Sequence, residues 1–188
     1  MPDLYSSLGF LSLVMIFNGL LTLPFGILAS RAFRTRGKLS PFLAAWSGVA
    51  MHGHALMTFA AAWLDRGSLY PANPLSIVIG AGLIIAGAYV IYLGRKAYGD
   101  QSRVYGLKED ALITNGIYQR SRNPQYFGYG VMFVGAALGL GSGITLIFVA
   151  VYGLMIHAGV TLVEEPHLER VFGESYRGYK SRVSRNFG

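Results

Sequence analysis

The sequence predicts an all-α protein that crosses a membrane five times, with its last two crossings folded into an antiparallel hairpin and followed by an amphipathic C-terminal helix. Three observations carry that expectation. Of the 188 residues, 53% are hydrophobic and 13% are charged, about half the charged share of a soluble domain. The apolar residues gather into runs close to the ~20 residues needed to span a bilayer. The sixteen Lys and Arg residues cluster between those runs. A basic face with interleaved aromatics would suggest nucleic acid, but loop clustering ties the net charge of +7 to membrane topology.

Residues 8–30 are apolar apart from Ser12, Asn18 and Thr22. A cleaved leader needs a basic start and a short apolar core. Here Asp3 is the sole preceding charge and the run is too long, so it reads as a retained first span, with Pro24 and Gly26 loosening its last turns. Residues 31–38 read as a basic loop. Span two covers about residues 42–64 and carries His52 and His54. Residues i and i+2 do not share a helical face, so this pair reads as packing residues, and no metal centre is expected. The loop 65–74 opens with the cancelling charges of Asp65 and Arg66. Span three covers about residues 75–93, where Gly80, Gly82, Gly87 and the following Gly94 allow another helix to approach closely. Gly80-Ala81-Gly82 is no dinucleotide fingerprint, since it sits in no strand–turn–helix unit.

Residues 95–123 are polar, with Tyr98, Tyr105 and Tyr118 interspersed, and read as a surface loop opening on a short amphipathic helix near 95–101. The run 124–140 is apolar and glycine-rich. Gly141-Ser142-Gly143 makes a tight turn and residues 144–163 run back. Beyond them Leu168, Phe172, Tyr176 and Tyr179 fall at helical spacing, with Gly173 as a break, which reads as a helix lying on the membrane surface. Five crossings put segments 31–38, 95–122 and 164–188 on one side, with fifteen of the sixteen basic residues and only Arg66 opposite. The positive-inside rule then places these segments in the cytoplasm and the N-terminus outside. Residues 1–74 form an N-terminal pair of spans and residues 75–188 the core. With no cysteine, thiol chemistry and disulfides are excluded.

Two polar stretches, 112–128 and 164–185, therefore face the same compartment. Paired carboxylates at the end of an apolar helix, Glu164 and Glu165, are costly unless they meet a partner or a water-filled cavity. Carboxylates suit ribose hydroxyls or a cationic centre. Arg120, Arg122, Arg182 and Arg185 suit a carboxylate or phosphate, and Tyr118 and Tyr126 suit stacking or cation–π contact. A zwitterionic nucleoside with a cationic centre would use all of them. The plainer readings are positive-inside anchors, an interfacial aromatic belt and a solvated helix start. The fixed offsets between Tyr118, Arg122, Pro124 and Tyr126 favour binding. His157 reads as an interhelical partner in span five, and His167 equally well as a surface residue.

Leu112-x-Thr114-x-Gly116-x-Tyr118-x-x-x-Arg122-x-Pro124-x-Tyr126-x-Gly128 is followed across the hairpin by Glu164-Glu165-x-x-Leu168-x-x-x-Phe172-Gly173-x-x-Tyr176-x-x-Tyr179-x-x-Arg182-Val183. Together they resemble the integral-membrane methyltransferases, the group of isoprenylcysteine carboxyl methyltransferases and phospholipid N-methyltransferases, over roughly residues 75–185. The resemblance implies S-adenosylmethionine as methyl donor. Leu112, Ile113 and the backbone of Gly116, Ile117 and Tyr118 would hold its adenosine part, and Arg122, Asn123, Pro124 and Tyr126 would continue that wall. Glu164 and Glu165 would bind it from the hairpin side. Glu165, Arg182 and Tyr126 are the implied catalytic set, Arg182 matching the arginine that faces the acceptor in the prenylcysteine enzymes. Asn123 stands where those enzymes usually carry histidine; Asn-Pro-x-Tyr and Glu-Glu-Pro resemble the phosphatidylethanolamine branch.

The implied reaction is in-line displacement at a sulfonium methyl by an amine, thiolate or carboxylate, catalysed mainly by positioning and exclusion of water. The acceptor would be a membrane lipid or small hydrophobic molecule entering from the bilayer, with a phospholipid amine favoured. Glu164, Glu165, His167 and Tyr126 are the candidate general bases. Two other classes are compatible with the sequence: a sterol-reductase-like membrane enzyme using NADPH, disfavoured by the short chain, and a non-catalytic lipid-binding scaffold, which Asn123 keeps open.

Overall fold

The structure is a computed structural model that describes residues 4–108 and 110–187, so Asp3 lies outside the described residues. Helix α1, Leu4–Arg36, continues through the segment expected to be a loop. Arg34 and Arg36 fall in its last turn, where positive charge offsets the exposed carbonyls, and Gly37, at φ 70°, turns the chain. Pro24 lies inside α1 without ending it. Helix α2, Pro41–Leu64, starts where the Ser40 side chain accepts from the Leu43 amide. Helix α3, Pro74–Tyr98, opens with a reciprocal cap between Asn73 and Ser76 and closes at Gly99, φ 67°. It takes in residues 95–98, where a separate amphipathic helix is expected; the short α4, Gln101–Val104, comes after it.

A 3-10 turn, Gly116–Gln119, leads to α5, Pro124–Leu140. The left-handed Gly141 and the capping Ser142 then reverse the chain into α6, Gly143–Gly159. The helical run does not stop there. A π-helical turn, Val160–Glu164, joins α6 to α7, Glu165–Arg182, which breaks at Gly173 (φ 53°, ψ −125°) as the sequence suggests. Among the described residues, two stretches are long and apolar enough to cross a membrane: α3 and the continuous run Gly143–Arg182. Helix α5 has 17 residues, which at 1.5 Å per residue gives about 26 Å, short of the ~30 Å hydrocarbon core.

The most extensive contact in the fold joins α3 to α5, so the main neighbour of α5 is α3 rather than its hairpin partner. Gly80, Gly87 and Gly94 recur every seven residues on the buried face of α3 and meet α5 running antiparallel. A Cβ at Gly80 would lie 2.5 Å from the Gly135 carbonyl oxygen, and one at Gly128 would lie 2.7 Å from that of Gly87. Lipid supplies no hydrophobic force between helices, so such backbone approach is what holds them. Gly82 faces open space and takes no part. The far face of α3 exposes Leu75, Val78, Ile85, Tyr89 and Tyr92.

Helices α2, α5 and α6 share an aromatic core. The buried His54 stacks on Tyr152 at 5.5 Å and meets Phe133 edge-on. His52 is exposed, with Nδ1 2.7 Å from the Gly48 carbonyl, and no metal-binding cluster of three side chains occurs among the described residues. At the far end Asp65 does more than cancel Arg66. It is buried, and its Oδ2 accepts from Ser68 Oγ at 2.7 Å, Ser142 Oγ at 2.8 Å and the Ile144 amide at 3.0 Å. That carboxylate ties the α2–α3 loop to the start of α6. Arg66 instead lies over the Trp63 ring at 4.6 Å.

A Cβ at Gly87 would lie 2.6 Å from Met132 Cγ. Gly87→Ala should therefore lower the unfolding midpoint in detergent, by about 1–3 kcal/mol of stability. Gly82→Ala, with nothing in its way, should be neutral or stabilising. Equal losses at both positions would show that the α3–α5 approach does not limit stability.

Candidate active site

The site forms where segment 112–123 meets the junction of α6 and α7. Gly116, at φ 57°, allows the left-handed entry into the 3-10 turn, and Pro124 starts α5 where no amide hydrogen is required. The segment is stitched to the C-terminal tail. The Arg122 amide donates to the Ser184 carbonyl at 3.0 Å, and the Arg185 carbonyl accepts from Ser121 Oγ at 3.0 Å and the Asn123 amide at 3.2 Å. The Tyr179 hydroxyl donates to the Tyr118 carbonyl at 2.7 Å.

The π-helical turn ends on the first of two adjacent carboxylates, which have different partners. Glu164 accepts from the Tyr126 hydroxyl on α5. Glu165, 5% exposed, meets Arg122 Nη1 at 2.8 Å, Arg185 Nε at 3.1 Å and Lys180 Nζ at 3.3 Å. Arg122 Nη1 also donates to the Tyr176 hydroxyl at 3.2 Å. Desolvation acts to raise the Glu165 carboxyl, but Arg185, Arg122 and Lys180 outweigh it and hold the group below its ordinary 4.5. Burial pushes the Tyr118 phenol up to about 12. Gln125 donates to that phenol at 3.1 Å, and Tyr98 meets its ring edge-on at 5.6 Å.

Between these elements lies an open cleft with about 640 Å3 of empty space, counting its mouth and the adjoining solvent. Leu112, Ile113, Tyr118, Arg122, Asn123, Glu164 and Glu165 all line it. Gly116 and Ile117 belong to the 3-10 turn that carries Tyr118, and Pro124 is buried at the start of α5. Tyr126 touches the cleft through Glu164. Arg182 is exposed at the end of α7 and does not line the cleft; Arg185 is the tail arginine that reaches Glu165.

Two histidines are placed differently from expectation. His167 is 2% exposed and stacks on Phe33 of α1 at 4.1 Å, so it is an interhelix contact and not a surface residue. His157 is exposed, with Nδ1 3.4 Å from Arg185 Nη1 of the tail. The sequence reading missed Tyr98, Arg103 and Lys108 as wall residues and Lys180 as a partner of Glu165. Arg103 and Asp110 carried a usable signal: opposite charges bracketing a glycine turn just before Leu112, joined in the structure at 2.6 Å.

The cleft offers a carboxylate at Glu164, aliphatic walls at Leu112, Ile113 and Val160, and aromatic walls at Tyr98, Tyr118 and Phe172. It also offers the Arg122 guanidinium, whose buried Nε has no hydrogen-bond partner. That donor set fits a ligand combining a flat ring, an anion and a cation.

The phospholipid methyltransferase family matches residues 75–175 of the chain. Among curated proteins, the protein-S-isoprenylcysteine O-methyltransferase of Schizosaccharomyces pombe is 35% identical over 77 residues, covering 40% of this chain and 32% of that protein. Its counterpart from Dictyostelium discoideum is 36% identical over 75 residues, with the same coverage of 40% and 32%. Protein-S-isoprenylcysteine O-methyltransferase B of Arabidopsis thaliana is 36% identical over 72 residues, covering 38% and 36%. The chain thus spans about a third of the length of the curated relatives it matches. No solved structure matches significantly.

Replacing Glu165 with glutamine would leave Arg122 buried beside a neutral amide. Glu165→Gln should cost on the order of 3 kcal/mol at neutral pH, read from unfolding in detergent. Because the folded group titrates below its ordinary 4.5, its contribution is complete above that pH and is lost as pH falls through the lowered value. The gap between wild type and variant should close over the same range. A gap independent of pH would mean that the charge of Glu165 does not hold the joint.

Proposed function

Because the chain belongs to the phospholipid methyltransferase family, we propose that it is an integral-membrane enzyme that moves a methyl group from S-adenosylmethionine to a lipid or small hydrophobic acceptor, with a phospholipid amine favoured. The observation that carries this reading is the single cleft lined by Tyr118, Arg122 and Glu164, residues far apart in the chain and matched to the three chemical parts of that cofactor. Leu112, Ile113 and Tyr118 would hold the adenosine, Arg122 its carboxylate, and Glu164 its ribose or cationic end. When bound, the cofactor supplies an electrophilic methyl group.

The remaining steps belong to the chain's own residues. An amine acceptor arrives protonated and must lose a proton before attack; we assign its receipt to Glu164, hydrogen-bonded by Tyr126. Glu165, already engaged by three cations, acts as a positioning residue that closes the tail over the cleft. Arg182 takes no part in this reading, since it is exposed and away from the lining. Asn123 serves the clamp, its Nδ2 donating to the Arg185 carbonyl at 3.4 Å, which supports an acceptor that does not need histidine there.

The proposal includes five crossings, by α1, α2, α3, α5 and α6, with the N-terminus outside and the cleft in the cytoplasm. Fifteen of the sixteen basic residues on one side support it. The shortness of α5 is accommodated by its burial against α3 and by local bilayer adjustment.

Titration calorimetry in detergent should detect S-adenosylhomocysteine and not NADP, and Glu164→Gln should weaken the former about tenfold or more. Binding of NADP alone would replace the methyltransferase with a reductase, and silence from both would leave a scaffold. The cysteine-free chain also permits a direct topology test. An impermeant maleimide on intact cells should label Arg66→Cys and spare Lys38→Cys; the opposite pattern would invert the proposed orientation.

A further inference from the structure

Among the described residues, the basic side chains without a carboxylate partner are exposed, with one exception. Arg95, near the end of α3, is partly buried and has no carboxylate partner. Its Nη2 donates to the Tyr105 hydroxyl at 3.2 Å, its guanidinium carbon is 5.8 Å from the centre of that ring, and its buried Nε has no hydrogen-bond partner. A guanidinium stays charged, and a charge partly sheltered from water is costly without a counter-charge or hydrogen bonds that meet it. A neutral phenol compensates only part of it. The unmet demand is for an oxyanion from outside the chain.

The surroundings say where that anion would sit. The Tyr105 ring packs over Gly48 of α2, where a Cβ would lie 3.7 Å from it. On α5 the buried Tyr129 lies within electrostatic range of both Arg95 and Tyr105 and belongs, with Phe133 and Tyr152, to a cluster against which Met51 and Ala55 of α2 pack. Arg95 thus occupies the point where α2, α3 and α5 converge. It is not part of the cofactor cleft, but Tyr98, one turn further along α3, lines that cleft. Tyr126, bonded to Glu164, is one turn from Tyr129 on α5. One turn is about 5 Å.

We propose that Arg95, with Tyr105 and Tyr129, is the specificity-determining oxyanion site for the methyl acceptor, taking a phosphodiester so that the group to be methylated lies toward Glu164. This rests on the methyl-transfer reading above. The phosphodiester could belong to the acceptor or to a bystander lipid, and the test separates the two.

The purified full chain in detergent is titrated with dihexanoylphosphatidylethanolamine and with dihexanoylglycerol, which has the same acyl chains and no phosphate. The wild type should prefer the phospholipid by about tenfold or more. Arg95→Ala should erase that preference and Arg95→Lys keep part of it, with S-adenosylhomocysteine affinity unchanged in both. Turnover with the phospholipid should show KM raised about tenfold in Arg95→Ala and kcat within about twofold.

A preference retained by Arg95→Ala overturns the proposal. So does inorganic phosphate that competes as well as the lipid, and so does lost lipid binding with KM unchanged, which marks a bystander lipid. Should Arg95→Ala not fold, Tyr105→Phe carries the test: a preference reduced about threefold supports the site, and an undiminished one overturns it. A wild type that binds no S-adenosylhomocysteine sinks the methyltransferase reading instead, while the lipid preference is still read independently.

Discussion

The structure depends on one buried carboxylate. Glu165 gathers Arg122 from the loop before α5, Lys180 from α7 and Arg185 from the tail. Those three segments are the pieces that must meet for a cleft to exist. An ion cluster with so little exposure is weak evidence of net stability, because desolvating the charges offsets much of their attraction. Its effect is on geometry: one carboxylate shared by three cations draws the loop, α7 and the tail to a common point. Backbone bonds from Arg122 and Asn123 to Ser184 and Arg185 then fix the register.

The rigid support comes from elsewhere. Helices α3 and α5 approach through facing glycines until backbone meets backbone, and α5 carries Tyr126 directly to Glu164. At the opposite end, Asp65 bonds the α2–α3 loop to the start of α6. The hairpin is therefore held at both ends by carboxylates and along its length by packing. The cleft residues sit on the ends of helices whose positions are already determined.

Helix content, the Gly141-Ser142-Gly143 reversal, the break at Gly173 and the convergence of Tyr118 with Glu164 were legible from apolar periodicity, turn residues and motif offsets. Other features were not, for identifiable reasons. Basic residues at a helix end look like a loop in hydropathy, so α1 was expected to stop before Arg31; the same side chains favour the last turn of a helix. His167 and Asp65 each stand in polar segments, where nothing in the local pattern reveals burial against a distant helix. Glycine spacing announced a close helix contact without naming the partner, and α3 proved to be that of α5. Arg182 and Arg185 are equivalent by composition. Which of them reaches Glu165 depends on where α7 ends, and helix ends are the least readable part of a sequence.

The passage from α6 into α7 has a mechanical meaning. No loop separates α6 from the acids at Glu164 and Glu165, so the apolar segment and the segment bearing the acids form one rod. A hinge would absorb tilting of the inner half, whereas a rod passes it on, with the wider π-helical turn and Gly173 as its compliant points. Displacement of the apolar half of that rod is delivered to Glu164 and Glu165 at the cleft wall.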